Sequence, residues 1–331
     1  MLAHVVGAMQ IKFTSLLAAV FFLTGLLSAT AAEYPDRAIH MIVGFAAGGG
    51  TDIAARIVAQ KLSDAVGQPV IVDNRPGAGG TIGDAAAAKA APDGYTLLMT
   101  ANGPHAIAPS LFKSLPYDVS RDFAAISLVS VNQYVLLVHP SVPVTSVAEL
   151  VTWIRAQKEP PAYSSAGVGT PAHLAAELFA AMAGAKLLHV PYSGSGPALN
   201  GLMAGDVKIL FSDLSVAMPQ LPSGRVKALA VTSLARSPLI PDLPTLDESG
   251  LKGYEALVWA GLLAPAKTSS AIIARLNAEM VKILSMPDVQ ERLNRLGSIA
   301  APGSPRDFDA RIQSDVAKWA SVIADAGIER H

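Results

Sequence analysis

The sequence contains no cysteine. That excludes disulfide staples, thiolate nucleophiles, cysteine metal ligands and a lipid anchor at a cysteine, so a hydrophobic core alone must hold the fold. A surplus of one charge is also missing: 25 Lys and Arg stand against 26 Asp and Glu, for a net charge of −1. Aromatics make up only 6%, with no basic stretch among them, which leaves no footprint for nucleic acid. Metal patterns are lacking as well. His40, His105, His139, His173 and His189 fall in separate segments, and no H-E-x-x-H or H-x-x-x-H occurs. No metal and no cofactor are expected.

Long apolar runs are scarce too. The one that stands out, "LLAAVFFLTGLL" over 16–27, falls short of the roughly 20 residues that span a bilayer. Lys12 is the only Lys, Arg, Asp or Glu in the first 32 residues, and the small residues Ala29, Thr30, Ala31 and Ala32 follow the run. This is the pattern of a cleavable signal peptide over 1–32, with Met9 as an alternative start to Met1. A chain exported to a bacterial periplasm and not lipidated is expected.

What the rest of the chain does have is alternation. "IHMIV" (39–43), "PVIVDN" (69–74) and "YTLLMT" (95–100) read as strands, separated by helical patterns over 52–66 and 81–91. That βαβαβ order predicts a parallel sheet covered by helices. A second set follows: strands over 134–140, 162–167, 186–192, 207–213 and 226–233, with helices over 146–157, 171–184 and 197–205. Ser146 with Glu149 three residues on makes a capping box. A run over 254–265 and two helices, 269–285 and 305–327, end the chain. The expectation is an α/β protein of two lobes, each a mainly parallel sheet flanked by helices, joined by two crossover strands. Lobe 1 is expected over 33–133 plus 255–331 and lobe 2 over 134–254, with a ligand cleft between them.

Four loops share the order strand, Gly/Ser-rich loop, helix start: "FAAGGGTD" (45–52), "NRPGAGGTIG" (74–83), "SSAGVGTPAH" (164–173) and "SGSGPALN" (193–200). Amides at a helix start carry partial positive charge and suit an anion. A dinucleotide fingerprint fails because Ile53 stands where its third glycine should be, although Asp73 sits near the ribose-binding position. A P-loop fails because no Gly-Lys-Ser/Thr follows. No G-x-S-x-G occurs; "YSSAG" puts Tyr163 in place of the first glycine. Ser110-Leu-Phe-Lys113, Ser212-Asp213 and Lys267-Thr268 are fragments of β-lactamase motifs at unrelated spacings. No nucleophile and base assemble, so no enzyme is expected; an exported enzyme acting on a carboxylate is the rival class.

These stretches, together with "HVPYSGSGPAL", "ALAVTSLARSPLIPDLPTLDESGLKGYE" and "WAGLLAPA", closely resemble the Bug-type solute receptors, the periplasmic binding components of tripartite tricarboxylate transporters (TctC-like). The resemblance runs through essentially the whole chain after the signal peptide. It implies a Venus-flytrap fold of type II-like architecture that captures a small organic carboxylate. It also implies delivery to a permease of one large and one small transmembrane subunit, with presentation to a sensor kinase as the alternative. A monomer that binds no nucleic acid is expected. One departure is plain: the family's first loop has prolines where this chain has Ala46-Ala47.

The resemblance implies that Phe45, Ala46, Ala47, Gly48, Gly49, Gly50 and Thr51 present amides and a hydroxyl to one carboxylate. Asp52 sits in the first helical turn as an organiser of that loop. Ser164, Ser165, Gly169 and Thr170 are expected to form the facing claw, with His173 either touching ligand or packing locally. Asn74 and Asn102 end strands of lobe 1 and either donate to ligand or close a turn. Tyr192 and Asp213 end strands of lobe 2, and Asp213 is of the type that selects an amino group. Arg75 is expected to be an ion-pair residue, and Trp259 either walls the cleft or packs in the core.

Overall fold

The computed structural model describes residues 34–330. The expected signal peptide lies outside the described residues. Strand β1 (Ile39–Val43) buries Ile39, Met41, Ile42 and Val43. Such an apolar run suits a strand covered on both faces. Helix α1 (Gly50–Val66) buries Ala54, Ala55, Ile57, Val58 and Leu62 along one stripe and ends at Gly67, whose φ is 71°. Strand β2 (Val70–Asn74), helix α2 (Thr81–Ala88) and strand β3 (Thr96–Ala101) follow, with β1 lying between β2 and β3 and parallel to both. This is the βαβαβ unit that the alternation predicts.

The next strand, β4 (Phe123–Val138), is longer than the 134–140 segment read from sequence: 16 residues, or roughly 50 Å. Beyond it come α3 (Val147–Ala156), β5 (Ala162–Ser165), α4 (Pro171–Ala183), β6 (Leu188–Pro191), α5 (Ser195–Ala204), β7 (Ile209–Asp213) and β8 (Lys227–Val231). The chain finishes with β9 (Leu257–Pro265), α6 (Ser270–Leu284), α7 (Pro287–Asn294), β10 (Ser298–Ala300) and α8 (Pro305–Asp325). Ser146 caps α3 by accepting the Glu149 amide at 3.2 Å, while the Glu149 carboxylate takes the Thr145 amide at 2.6 Å. The reciprocal half of the capping box thus lands one residue early. No helix among the described residues is long and apolar enough to cross a membrane.

Residues 123–133 of β4 pair antiparallel with β9, and Ser130–Asn132 with β10. Tyr134–Val138 pair antiparallel with β7 and β8. One strand therefore belongs to two sheets. The first runs β2-β1-β3-β9-β4; the second runs from β4 through β7 and β5 to β6, with β5 parallel to both neighbours. The sheets are mixed: parallel inside the βαβ units and antiparallel where β4 and β9 join them. The way back to the first sheet is a hydrogen-bonded coil. Thr232 donates its amide to the Tyr134 carbonyl and Ala256 donates its own to the Thr232 carbonyl, both at 3.0 Å.

That coil is tied to α8. Arg311 bridges Glu255 and Asp315 at 3.0 Å each, and Lys318 reaches Asp315 at 2.8 Å. Burial would lower the Arg311 guanidinium, but Asp315 and Glu255 outweigh it and hold it above its ordinary value. Trp259 is fully buried, lies edge-on to Phe308 at 5.3 Å and donates its indole N–H to Asp315 at 2.8 Å. It packs in the core, and the residue also borders a small cavity of 150 Å³.

Candidate ligand-binding site

Parallel strands send their carboxyl ends to one side, so the loops after β1, β2 and β3 gather there. Facing the 168–171 loop of the second sheet, they enclose a cavity of 420 Å³. Its wall takes Phe45 and Thr51 from the first loop, Ala78, Gly79 and Thr81 from the second, and Asn102, Ile107, Leu111 and Phe112 from the third. Val258 of β9 and Val168, Gly169, Thr170 and Pro171 complete it.

The first loop is built around a buried carboxylate. Asp52, 1% exposed, accepts the Gly48 amide at 2.8 Å, Arg56 Nε at 3.0 Å and Asn74 Nδ2 at 2.8 Å. Asn74 Nδ2 also donates to the Phe45 carbonyl at 3.0 Å, and Asn74 Oδ1 accepts from Arg56 at 2.9 Å. Burial alone would raise the Asp52 carboxyl; the bonds from Arg56, the Gly48 amide and Asn74 outweigh it and hold it below the ordinary aspartate value. Asp52 thus bonds the Gly48 amide across the first loop, and the amide of Asn74 is engaged inside the loop rather than offered to a ligand. Arg75 pairs with Asp73 at 2.7 Å, as an ion-pair residue should.

The first two loops interlock through glycine. A Cβ on Gly44 would stand 2.4 Å from the Gly80 carbonyl oxygen, and one on Gly83 would stand 2.5 Å from Gly44 Cα. The jaw glycines differ: nothing lies within 4 Å of a Cβ on Gly48 or Gly50, and one on Gly49 meets only the Ala46 carbonyl at 3.4 Å.

The third loop opens with a wide helical turn, Gly103–Ile107, that leads into Ala108–Leu111. It is pinned from beneath. His105 Nδ1 lies 3.0 Å from Asp84 Oδ2, and Thr100 donates to Asp84 Oδ1 at 2.9 Å, with all three side chains fully buried. The Tyr117 hydroxyl donates to the Pro104 carbonyl at 2.6 Å. Asn102, expected either to donate to ligand or to close a turn, spends its amide inside the protein. Its Nδ2 donates to the Leu257 carbonyl at 3.0 Å, so the group left over is Oδ1, a buried acceptor with no partner among the described residues. Turning the amide over would set two oxygens against each other.

The loop of the second sheet rests on stacked imidazoles. Thr170 caps α4, accepting the His173 amide at 3.4 Å and donating to the Gly167 carbonyl at 2.7 Å. Gly169 donates its amide to His173 Nδ1 at 3.0 Å, so that nitrogen carries no proton. His173 stacks on His189 at 3.9 Å, and His189 Nε2 meets the Ser165 hydroxyl at 2.6 Å. Burial, and then the neighbouring His189, push the His173 pKa down to about 4, and burial lowers His189 as well. A Cβ on Gly169 would come within 2.7 Å of Leu111, which marks a close approach of the two sides of the cavity.

Phe45, Thr51, Asn102, Gly169 and Thr170 therefore meet at one wall. Ala46, Ala47, Gly48, Gly49 and Gly50 are exposed and lie outside it; Gly50 and Thr51 line an adjoining cavity of 150 Å³. Ser164 donates to the Ala198 carbonyl at 3.1 Å, and the Tyr192 ring covers Gly201. Asp213 accepts from Ser195 at 2.5 Å, and burial raises its carboxyl. Ser164, Ser165, His173, Tyr192 and Asp213 do not line this cavity. Sequence reasoning missed Ile107, Leu111, Phe112, Val168 and Val258, apolar residues that only the fold brings together. The glycine loop that carries Ala78, Gly79 and Thr81 was legible as an anion loop, yet "NRPGAGG" reads as architecture. No group of three or more His, Cys, Asp or Glu able to hold a metal occurs among the described residues.

Residues 54–328 match the model of the tripartite tricarboxylate transporter family receptor. The chain is 38% identical over 302 residues to the protein BugT of Bordetella pertussis, covering 90% of this chain and 92% of that one. The adipate-bound Rpa4515 of R. palustris is 34% identical with a TM-score of 0.74, covering 90% of this chain and 100% of the other. The malate-bound MatC of Rhodopseudomonas palustris is 33% identical with a TM-score of 0.69, covering 88% and 100%.

Proposed function

The chain belongs to the tripartite tricarboxylate transporter receptor family of periplasmic solute-binding proteins, and we propose that it captures a small organic carboxylate between two lobes and hands it, chemically unchanged, to a two-component membrane permease. The single observation behind this reading is the convergence of helix starts: Thr51 in the first turn of α1, Thr81 opening α2 and Thr170 capping α4 all border one cavity. No Lys, Arg or His lines that cavity among the described residues. An anion there is held by amides, hydroxyls and helix dipoles rather than by a counter-ion. The two related structures carry adipate and malate, both dicarboxylates, which supports carboxylate capture.

The lobes are 33–133 with 255–331, and 134–254, crossing at β4 and at the coil before β9. The mature chain acts as a monomer in the periplasm after removal of residues 1–32. A ligand that touches both lobes stabilises the closed arrangement by the contacts it gains there. The test is a thermal-shift screen of the mature chain against di-, tri-, aromatic and amino-acid carboxylates. A ligand at 100 times its dissociation constant adds about 2.7 kcal/mol. A shift from an uncharged sugar, with none from any carboxylate, overturns the reading.

A further inference from the structure

Resting on that reading of the cavity, we propose that the ligand carries one carboxylate on a hydrocarbon body, in contrast to the dicarboxylates of the two related structures. The argument is a census of hydrogen-bond donors. On the first-sheet side, the amides of Thr51, Ala78 and Gly79, all of which line the cavity, have no acceptor among the described residues, and neither does the Thr51 hydroxyl. That set suffices for one carboxylate. On the opposite side most donors are engaged, and of the lining residues there only Val168 keeps an amide with no acceptor among the described residues. The Gly169 amide goes to His173 Nδ1. The Thr170 amide and hydroxyl both go to the Gly167 carbonyl. The His173 amide goes to the Thr170 hydroxyl, the Gly167 amide goes to Ser165, and Pro171 has no N–H.

A second carboxylate reaching that side finds no cation and few free donors, and burying it without partners is costly. The unpartnered side-chain group in the wall, Asn102 Oδ1, is an acceptor and adds no donor for it. What the cavity offers beyond the first carboxylate is apolar surface from Ile107, Leu111, Phe112, Val168 and Val258. The shape of the site is thus an anion seat at one end and an oily sleeve leading away from it.

The experiment is titration calorimetry of the mature chain with straight-chain monocarboxylates from butanoate to octanoate, with octanedioate, and with citrate. Affinity should rise about fourfold per methylene until the sleeve is full. Octanedioate should bind roughly tenfold or more below octanoate. Octanedioate or citrate binding as tightly as octanoate overturns the inference and leaves the carboxylate receptor standing; no carboxylate binding at all overturns both. A gain-of-function arm uses Val168, 54% exposed and therefore replaceable without loss of the fold. Val168→Lys should raise the octanedioate-to-octanoate affinity ratio roughly tenfold by supplying the missing cation. An unchanged ratio means that the far end of the ligand does not reach this loop, and the inference falls.

Discussion

At the scale of single residues, glycine does two different jobs in neighbouring loops, and substitution separates them. Gly83 has backbone where a side chain would go, so Gly83→Ala should cost about 1–3 kcal/mol in urea unfolding. Gly49, at φ −75°, stands at the start of α1 with open space around it. Gly49→Val should cost about 1 kcal/mol or less in stability yet weaken carboxylate binding by tenfold or more, because a branched side chain at the N-cap of α1 crowds the approach to the amide of Thr51, which lines the cavity. Equal affinity in calorimetry would remove that loop from the site. Only part of this was legible beforehand. Thr51, Gly169 and Thr170 announce themselves as helix-start residues beside glycine. Leu111 and Phe112 look like any apolar pair, because nothing local distinguishes a cavity wall from a core. For Asn102 the sequence leaves ligand donor and turn closure both open, because it does not show the Leu257 carbonyl 155 positions away that takes its amide.

At the scale of elements, strand and helix starts flagged by glycine, proline or a capping hydroxyl were read within a few residues, whereas residues 123–133 of β4 were not. Ser127, Ser130, Asn132 and Gln133 interrupt the apolar pattern, and register shifts after Ala125 and Leu128 restart the alternation. Helix α7 and strand β10 are short and were missed for want of a full period. The start of α4 carries a pH dependence. His173 is pushed down to about 4, so between about 6.5 and 4 the unfolded chain binds a proton that the folded chain refuses. The stability this imidazole confers is complete above about pH 6.5 and lost as pH falls through about 4, a loss of on the order of 3 kcal/mol. Asp52, held below its ordinary value, acts in a separate window under about pH 4. Urea midpoints at pH 7.5 and 4.5 should differ less for His173→Gln than for the parent chain. Equal differences would mean that the stacked pair does not titrate there.

At the scale of the whole molecule, the two sheets share one strand and one pinned coil. Asp315 is 1% exposed and holds Arg311, Lys318 and the Trp259 indole. Asp315→Ala takes the carboxylate partner from Lys318, one of two from Arg311, and the acceptor from the buried Trp259 indole, and should cost about 3 kcal/mol in chemical denaturation. The other connection has a different character. Gln133 is the last residue of β4 paired with β9 and Tyr134 the first paired with β7, so no unpaired residue separates the two ladders. Past that point Tyr134, Leu136 and Val138 enter one core cluster and Val135 and Leu137 another. Joined by one unbroken strand, the two ladders cannot drift apart along it. For a ligand already seated on one side, the other side is then present at an effective concentration set by a stiff rod rather than by a slack chain. A Gly-Ser pair inserted between Gln133 and Tyr134 should leave both cores able to fold and dilute one half of the grip relative to the other. The loss would appear as weaker binding with little change in the affinity of either half alone.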